Sequence, residues 1–278
     1  MISNCGHDEN GKYSGGQAGD KKGDEWAVIG WYNRPWNVML RHPDKHVQDD
    51  LAHLGKAAAQ NNNIGYDQYQ RTTYWTQLQK AGYDPAKISV KCEADCSSGV
   101  AANIKAAGYR LGISALQNVS KDCYTGNLRA ALKKAGFQEF TDSKYLTSDE
   151  YLLPGDILLY EGHHTATNLD QGSKAVAEYT EGFKMASDGI RWWYQYKDGS
   201  WAANGWYWLT EATGGTSGWY LFDEAGYMLT GYQKDPDGEW FFLCPDKGID
   251  EGKCMATDDR GVLWVPRDYD FENHKFIL

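Results

Sequence analysis

The chain has 278 residues, room for one large domain or two modest ones, and carries 38 acidic against 28 basic side chains, a net charge of −10. That balance excludes a nucleic-acid binder built on phosphate contacts, which needs a basic footprint. No apolar run approaches the roughly 18 residues of a membrane span, and six cysteines are too sparse for a disulfide scaffold.

Taken in chain order, Met1 to Asp8 has neither a basic n-region nor an apolar h-region. No secretory signal is therefore expected, and the protein is expected to remain where it is made unless something else releases it. Residues 1–25, rich in Gly, Lys and Asp, read as an irregular arm. Val47, Leu51, Leu54 and Ala58 recur at helical spacing and predict a helix over 46–60, stopped by Asn61-Asn62-Asn63. A second helix is predicted from Gln68 to Lys80, closed by Gly82. A third runs from Cys96 to Gly108, with Asp95, Ser97 and Ser98 as its start signal. A fourth spans Asn127 to Ala135, with Gly136 just past its end.

The texture changes at Pro154-Gly155. Asp156 to Tyr160 is a short apolar run suited to a buried strand; Thr165 to Leu169 and Ala175 to Tyr179 read as two more. Helices followed by a strand meander predict an α+β domain over 1–185.

From residue 190 onward the chain becomes acidic and aromatic, and eight of the twelve tryptophans lie in this last third. Trp-aromatic segments at Trp193, Trp219 and Trp240, each followed by a turn, alternate with Gly-aromatic pairs at Gly205-Trp206 and Gly231-Tyr232. The recurrence predicts three imperfect β-hairpin repeats over 190–278, each too small to fold unless neighbours stack. Rings around an acidic gap can hold a quaternary ammonium by cation–π attraction or stack on sugar faces. At least half of these aromatics are expected to form the core of so thin a domain. Trp193, Trp206, Trp219 and Tyr232 are assigned to the ligand side. Cys244 and Cys254 are near enough in sequence to pair, whereas Cys92 and Cys96 lack the partners of a metal site.

The catalytic candidate is Cys96. A helix start places partial positive charge beside the sulfur and is expected to lower its pKa. A thiol nucleophile also needs a base, and His163 or His164, at the turn between predicted strands, supplies one. The base needs an orienting group; Glu178, on the next predicted strand, is the best-placed polar residue, with Asn168 as the alternative. A lone cysteine at a helix start is more often simply buried, so these residues alone do not establish thiol catalysis.

Asp95-Cys96-Ser97-Ser98-Gly99-Val100 resembles the D-C-S-G/S-apolar segment of the NlpC/P60 cysteine peptidases. Pro154-Gly155-Asp156 with its following strand, then His164-Thr165-Ala166, resembles their P-G-D-apolar and H-V-G/A segments in the same order. The resemblance covers about residues 26–185 and is nearest to phage-type peptidoglycan hydrolases, through Gly65-Tyr66-Asp67-Gln68 and Ala18-Gly19-Asp20. The tail resembles choline-binding-type cell-wall repeats.

The resemblance implies a papain-like α+β catalytic domain followed by a wall-binding repeat domain. It makes Cys96 the nucleophile, His164 the base and then acid, Tyr66 a helper of the oxyanion, and Glu178 the third polar residue, where the family more often has His, Asn or Gln. It implies an endolysin that cuts an amide of the peptidoglycan stem peptide, needs no metal or other cofactor, and acts at the wall after release from the cytoplasm. Peptidoglycan and a wall-attached polymer, choline-like or saccharide, are the expected partners. Neither nucleic acid nor membrane insertion is expected. Two other readings are a non-catalytic wall-binding protein and a thiol acyltransferase on the same core.

Overall fold

The computed structural model describes residues 1–175, 181–186, 188–210, 217–248 and 250–255, and the backbone of 269–270 and 275–276. Contacts divide the chain into two units, Met1–Val176 and Ala177–Leu278.

The first unit opens with β1 (Ile2–Cys5), β2 (Trp26–Ile29) and β3 (Val38–Arg41), followed by α1 (Lys45–Ala59). Asp44 caps α1 by accepting from the His46 N–H, and its apolar face, Val47, Leu51, Leu54 and Ala58, is buried. β4 (Ile64–Tyr66), α2 (Thr73–Lys80) and β5 (Cys92–Ala94) come next. α3 (Cys96–Leu111) starts at a reciprocal cap between Asp95 and Ser98 and ends at Gly112, whose φ of 72° is the left-handed stop a glycine permits. α4 (Ser114–Gln117), α5 (Leu128–Lys134), β6 (Gln138–Phe140), α6 (Ser143–Leu146), β7 (Ile157–Tyr160) and β8 (His164–Asn168) complete it.

Six strands form one antiparallel sheet in the order β2-β1-β8-β7-β3-β6, while β4 and β5 pair in parallel outside it. Strand alternation sends Val38 and Leu40 toward the core shared with α1 and α3, and Met39 toward a second core with Ile2, Trp36, Leu158 and Ala166. This is a mixed α/β fold whose sheet is buried on both faces.

The start of the chain corrects the irregular-arm reading. Ile2–Cys5 is an interior strand between β2 and β8. Nothing local marks so short a segment; its conformation is set by its distant partners β2 and β8. The helix expected from Gln68 begins only at Thr73, because Asp67 accepts from the Tyr69 N–H and turns the chain there. Ala175 is not in a strand, and the rest of the strand predicted to Tyr179, with Glu178, lies outside the described residues.

The second unit is built from hairpins: β9 (Gly182–Met185) with β10 (Trp192–Gln195), β11 (Gly205–Leu209) with β12 (Gly218–Phe222), and β13 (Gly231–Lys234) with β14 (Trp240–Leu243). Short β15 (Tyr269–Asp270) and β16 (Lys275–Phe276) pair near the end. Pairing is offset by one strand from the sequence unit. Each Gly-led strand pairs with the Trp-aromatic strand after it. After Gln195 the chain makes one bridge, to Trp201, and Asn204, at φ 49°, lies just ahead of Gly205, where β11 begins. The core is mostly aromatic: Tyr194, Tyr220 and Phe222 with Leu209 and Met228. All six cysteines are free, Cys244 and Cys254 included.

Candidate active site

A cleft of about 480 Å³ in the first unit is lined by Cys96, His164, Tyr66 and Asn4, with Arg34 and Gln68 among their neighbours. A larger hollow, about 720 Å³, lies against the end of α1 between His53 and Asn61 and holds no nucleophile.

Cys96 is the first residue of α3 and is 8 % exposed. Asp95 fixes the turn that presents it: Oδ1 accepts from the Ser98 N–H at 2.7 Å and from the Ser97 hydroxyl at 2.9 Å, while Oδ2 lies 2.9 Å from Arg71 Nε. The expectation that the helix start lowers the thiol pKa is overturned. Burial, reinforced by the Asp95 carboxylate, pushes it up to about 12, against the weaker pull of the Thr165 and Ser97 amides and of Arg71. The favourable dipole of a helix start is modest, and the desolvation of a buried thiolate outweighs it.

His164 opens β8 and is 5 % exposed, its ring stacked on Trp36 with centroids 6.0 Å apart. Burial first, then the Arg34 charge, pushes its pKa down to about 3. The resting pair is thus a neutral thiol and a neutral imidazole. His164 Nε2 lies 2.7 Å from Asn4 Oδ1. With that oxygen accepting, the ring proton sits on Nε2 and Nδ1 carries the lone pair of a base. No hydrogen bond joins Cys96 to His164 here; such contacts often tighten only when substrate binds.

The side chain placed to orient His164 is therefore Asn4, a residue no local sequence signal singles out. β1 runs antiparallel to β8, with Ile2 opposite Asn168 and Ser3 opposite Thr167. Continuing that register sets Asn4 diagonally across from His164, on the same face of the sheet. The Tyr32 hydroxyl donates to the same Asn4 oxygen at 3.4 Å, and Arg34 Nη1 donates to the Tyr32 hydroxyl at 3.2 Å. Asn168 is occupied elsewhere: its amide donates to the carbonyls of Leu153 and Asp170. His163 stacks on Tyr160 at 4.1 Å at the rim of the cleft.

Tyr66 ends β4 beside Ala94 of β5, two residues before Cys96. Its hydroxyl accepts from Gln68 Nε2 at 3.2 Å, and burial raises its pKa, so it stays a hydrogen-bond donor. Among the described residues no group of three or more His, Cys, Asp or Glu side chains is placed to hold a metal ion.

Behind Tyr66 two carboxylates face each other. Oε2 of Glu25 and Oε2 of Glu93 each lie 2.8 Å from where a Cβ on Gly65 would stand, so only glycine fits between them. Glu25 accepts from the N–H groups of Tyr66 and Lys21, and Glu93 accepts from that of Gly19 at 2.6 Å. Glu93 is 1 % exposed, and its Oε2 has no hydrogen-bond partner among the described residues. Burial, and then the charges of Glu25, Asp67 and Glu9, push its pKa up to about 7 from an ordinary 4.5. A carboxyl whose folded pKa lies above its unfolded one favours the fold when protonated. Its stabilising protonation is lost as pH rises from 4.5 through 7, a contribution of about 3 kcal/mol. Urea unfolding at pH 5 and pH 8 is expected to show this loss, and Glu93→Gln is expected to flatten it. An unchanged slope in the variant would exclude Glu93 as its source.

In the second unit the four assigned aromatics separate. Trp193 is 3 % exposed and packs with Ala186 and Tyr227; it is a core residue, not a ligand-facing one. Trp219 and Tyr232 are exposed, and Trp206 is half-buried against Phe241. Trp208, unassigned from sequence, stands directly opposite Trp219 across the β11–β12 hairpin, their exposed rings edge-on at 5.5 Å.

Residues 2–175 match the family model described as endolysin-like domain. No curated protein matches the chain. Among solved structures, the crystal structure of the modular Cpl-1 endolysin complexed with a peptidoglycan analogue is similar at 20 % identity over 33 % of this chain and 30 % of that one, with a TM-score of 0.11. The chain thus spans less than a third of that protein, and a likeness this slight carries no argument. The family match extends over well more than half of the sequence, and by it the chain belongs to the endolysin-like domain family.

Proposed function

We propose that this protein is a cysteine peptidoglycan hydrolase of the papain-like NlpC/P60 type, an endolysin that cuts an amide of the wall stem peptide. Membership of the endolysin-like family supports a cell-wall hydrolase. The observation that carries the finer reading is a cleft holding a helix-start cysteine together with a histidine whose far nitrogen is held by Asn4.

As Cys96 Sγ attacks the amide carbonyl carbon, His164 Nδ1 takes the thiol proton. The neutral resting pair suits this concerted transfer, since no stable thiolate precedes it. The carbonyl π electrons move to oxygen, where the first N–H groups of α3 and the Tyr66 hydroxyl are the available donors. The C–N bond then breaks, and the proton on Nδ1 passes to the leaving amine. Water, deprotonated by the same nitrogen, cleaves the thioester and restores the thiol. Asn4 takes the third position in this reading; Glu178, expected there from the sequence, lies outside the described residues.

The C-terminal hairpins are the wall anchor in this reading. Trp208, Trp219, Tyr232 and Trp240 each expose about half or more of their surface, a set suited to sugar faces or a choline-like cation on a wall polymer. Weak repeated sites gain from avidity on a polymer. No helix among the described residues is long and apolar enough to cross a membrane.

Mass spectrometry of fragments released from Gram-positive peptidoglycan tests the function. New amino termini are expected and identify the bond; new reducing ends in their place would reject an amidohydrolase. Asn4 is a positioning residue with its own test. Asn4→Ala is expected to lower kcat by about 10²-fold through loss of the productive tautomer. Asn4→Asp is expected to retain more activity and to move the acid limb of the pH–rate profile upward, because a carboxylate favours the imidazolium. An unmoved profile would assign Asn4 to structure alone.

A further inference from the structure

The charge distribution of the cleft carries an inference about substrate, resting on the hydrolase reading above. In a chain of net charge −10, no Asp, Glu or Lys among the described residues lines this cleft, and Arg34 is the one permanent charge among them that does. Arg34 sits between β2 and β3, half-buried. Its one side-chain hydrogen bond among the described residues goes from Nη1 to the Tyr32 hydroxyl, and it forms no ion pair with a carboxylate there.

A guanidinium has five donors in a planar fork. One bond to tyrosine orients it and leaves the remainder for a ligand. Elsewhere in this unit arginines are matched to acids: Arg41 to Asp156, Arg71 to Asp95, Arg110 to Asp50 and Arg129 to Glu139. Arg34 alone of these faces the cleft. Its charge is felt at His164, so the two lie within electrostatic reach.

We propose that Arg34 anchors a substrate carboxylate next to the scissile amide, so that the enzyme prefers stem peptides with a free carboxylate there over those in which it is a carboxamide. The fork suits a carboxylate bidentately, whereas a neutral carboxamide offers a single oxygen. The bound anion would also offset the Arg34 charge beside His164, easing protonation of the imidazole during attack.

The test uses the full-length Cys96→Ala protein, so that binding is read without turnover. Calorimetry would compare two synthetic stem peptides, blocked at both ends, that differ only in an isoglutamate carboxylate or carboxamide. The carboxylate peptide is expected to bind at least about 10-fold more tightly, and Arg34→Gln is expected to erase the difference. Raising salt in the parent protein should weaken only the carboxylate peptide, a check that needs no second variant. Equal affinities, no binding of either peptide, or a preference surviving Arg34→Gln would overturn the proposal. Failure of the hydrolase reading looks different: no fragments from the Cys96-intact protein, whatever the binding preference.

Discussion

Replacing Cys96 with alanine is expected to lower fragment release from peptidoglycan by at least about 10⁴-fold while wall binding persists. The size follows from the role. Without a nucleophile no thioester forms, and what remains is the rate from binding and oxyanion donors alone. The change removes one sulfur atom at the first position of α3, where the Asp95–Ser98 cap holds the helix start without the thiol. The fold is therefore expected to survive, and circular dichroism with a thermal midpoint within a few degrees of wild type would verify that. Lysis by the variant at the wild-type rate would sink the cysteine mechanism. Wall binding without fragments from either protein would favour the non-catalytic reading.

The second large effect falls on stability. Asp156 → Ala is expected to cost about 3 kcal/mol or more and to lower the thermal midpoint by about 10 °C. Asp156 is fully buried, and both its oxygens are held by Arg41, from Nε at 2.7 Å and from Nη2 at 2.5 Å. Oδ2 also accepts from the Leu153 N–H at 2.7 Å, closing the turn that leads into β7. Gly155 in that turn has φ 81°, and a Cβ there would lie 2.2 Å from the Gln48 carbonyl oxygen. Gly155 and Asp156 thus make a structural clamp ahead of β7. Removing the carboxylate leaves a half-satisfied guanidinium and an open turn. Urea unfolding of Asp156→Ala against wild type measures the cost, and a loss under 1 kcal/mol would refute the clamp.

Long-range pairing separates what was legible in the sequence from what was not. α1 and α3 carry strong local signals, periodic apolar residues and a side-chain cap, and they formed within a few residues of expectation. β7 is a continuous apolar run and was equally visible. α3 presents Cys96, and β7 leads directly into the turn before His164, the first residue of β8, which is why both could be named. β1 carries no such signal: Ser3 and Asn4 sit in its centre, and only its pairing with β2 and β8 makes it a strand. Asn4 was invisible for the same reason. The thiol pKa was misjudged because helix position is local, whereas burial is a property of the finished fold. In the tail, eight tryptophans marked hairpins but not their faces. Trp193 and Trp219 hold equivalent places in the repeat, yet one is buried and the other exposed.

The interior position of β1 bears on the order in which the cleft is assembled. Asn4 and His164 are 160 residues apart, and β1 lies between β2 and β8 in the sheet. β1 precedes β8 in the chain and lacks that second neighbour until β8 has been made. Closure over such a sequence separation is slow compared with forming α1 or α3. His164 meets Asn4 only in that closing step. The cleft is therefore completed at once, with the sheet, and a chain that ends before β8 carries Cys96 without the Asn4–His164 pair.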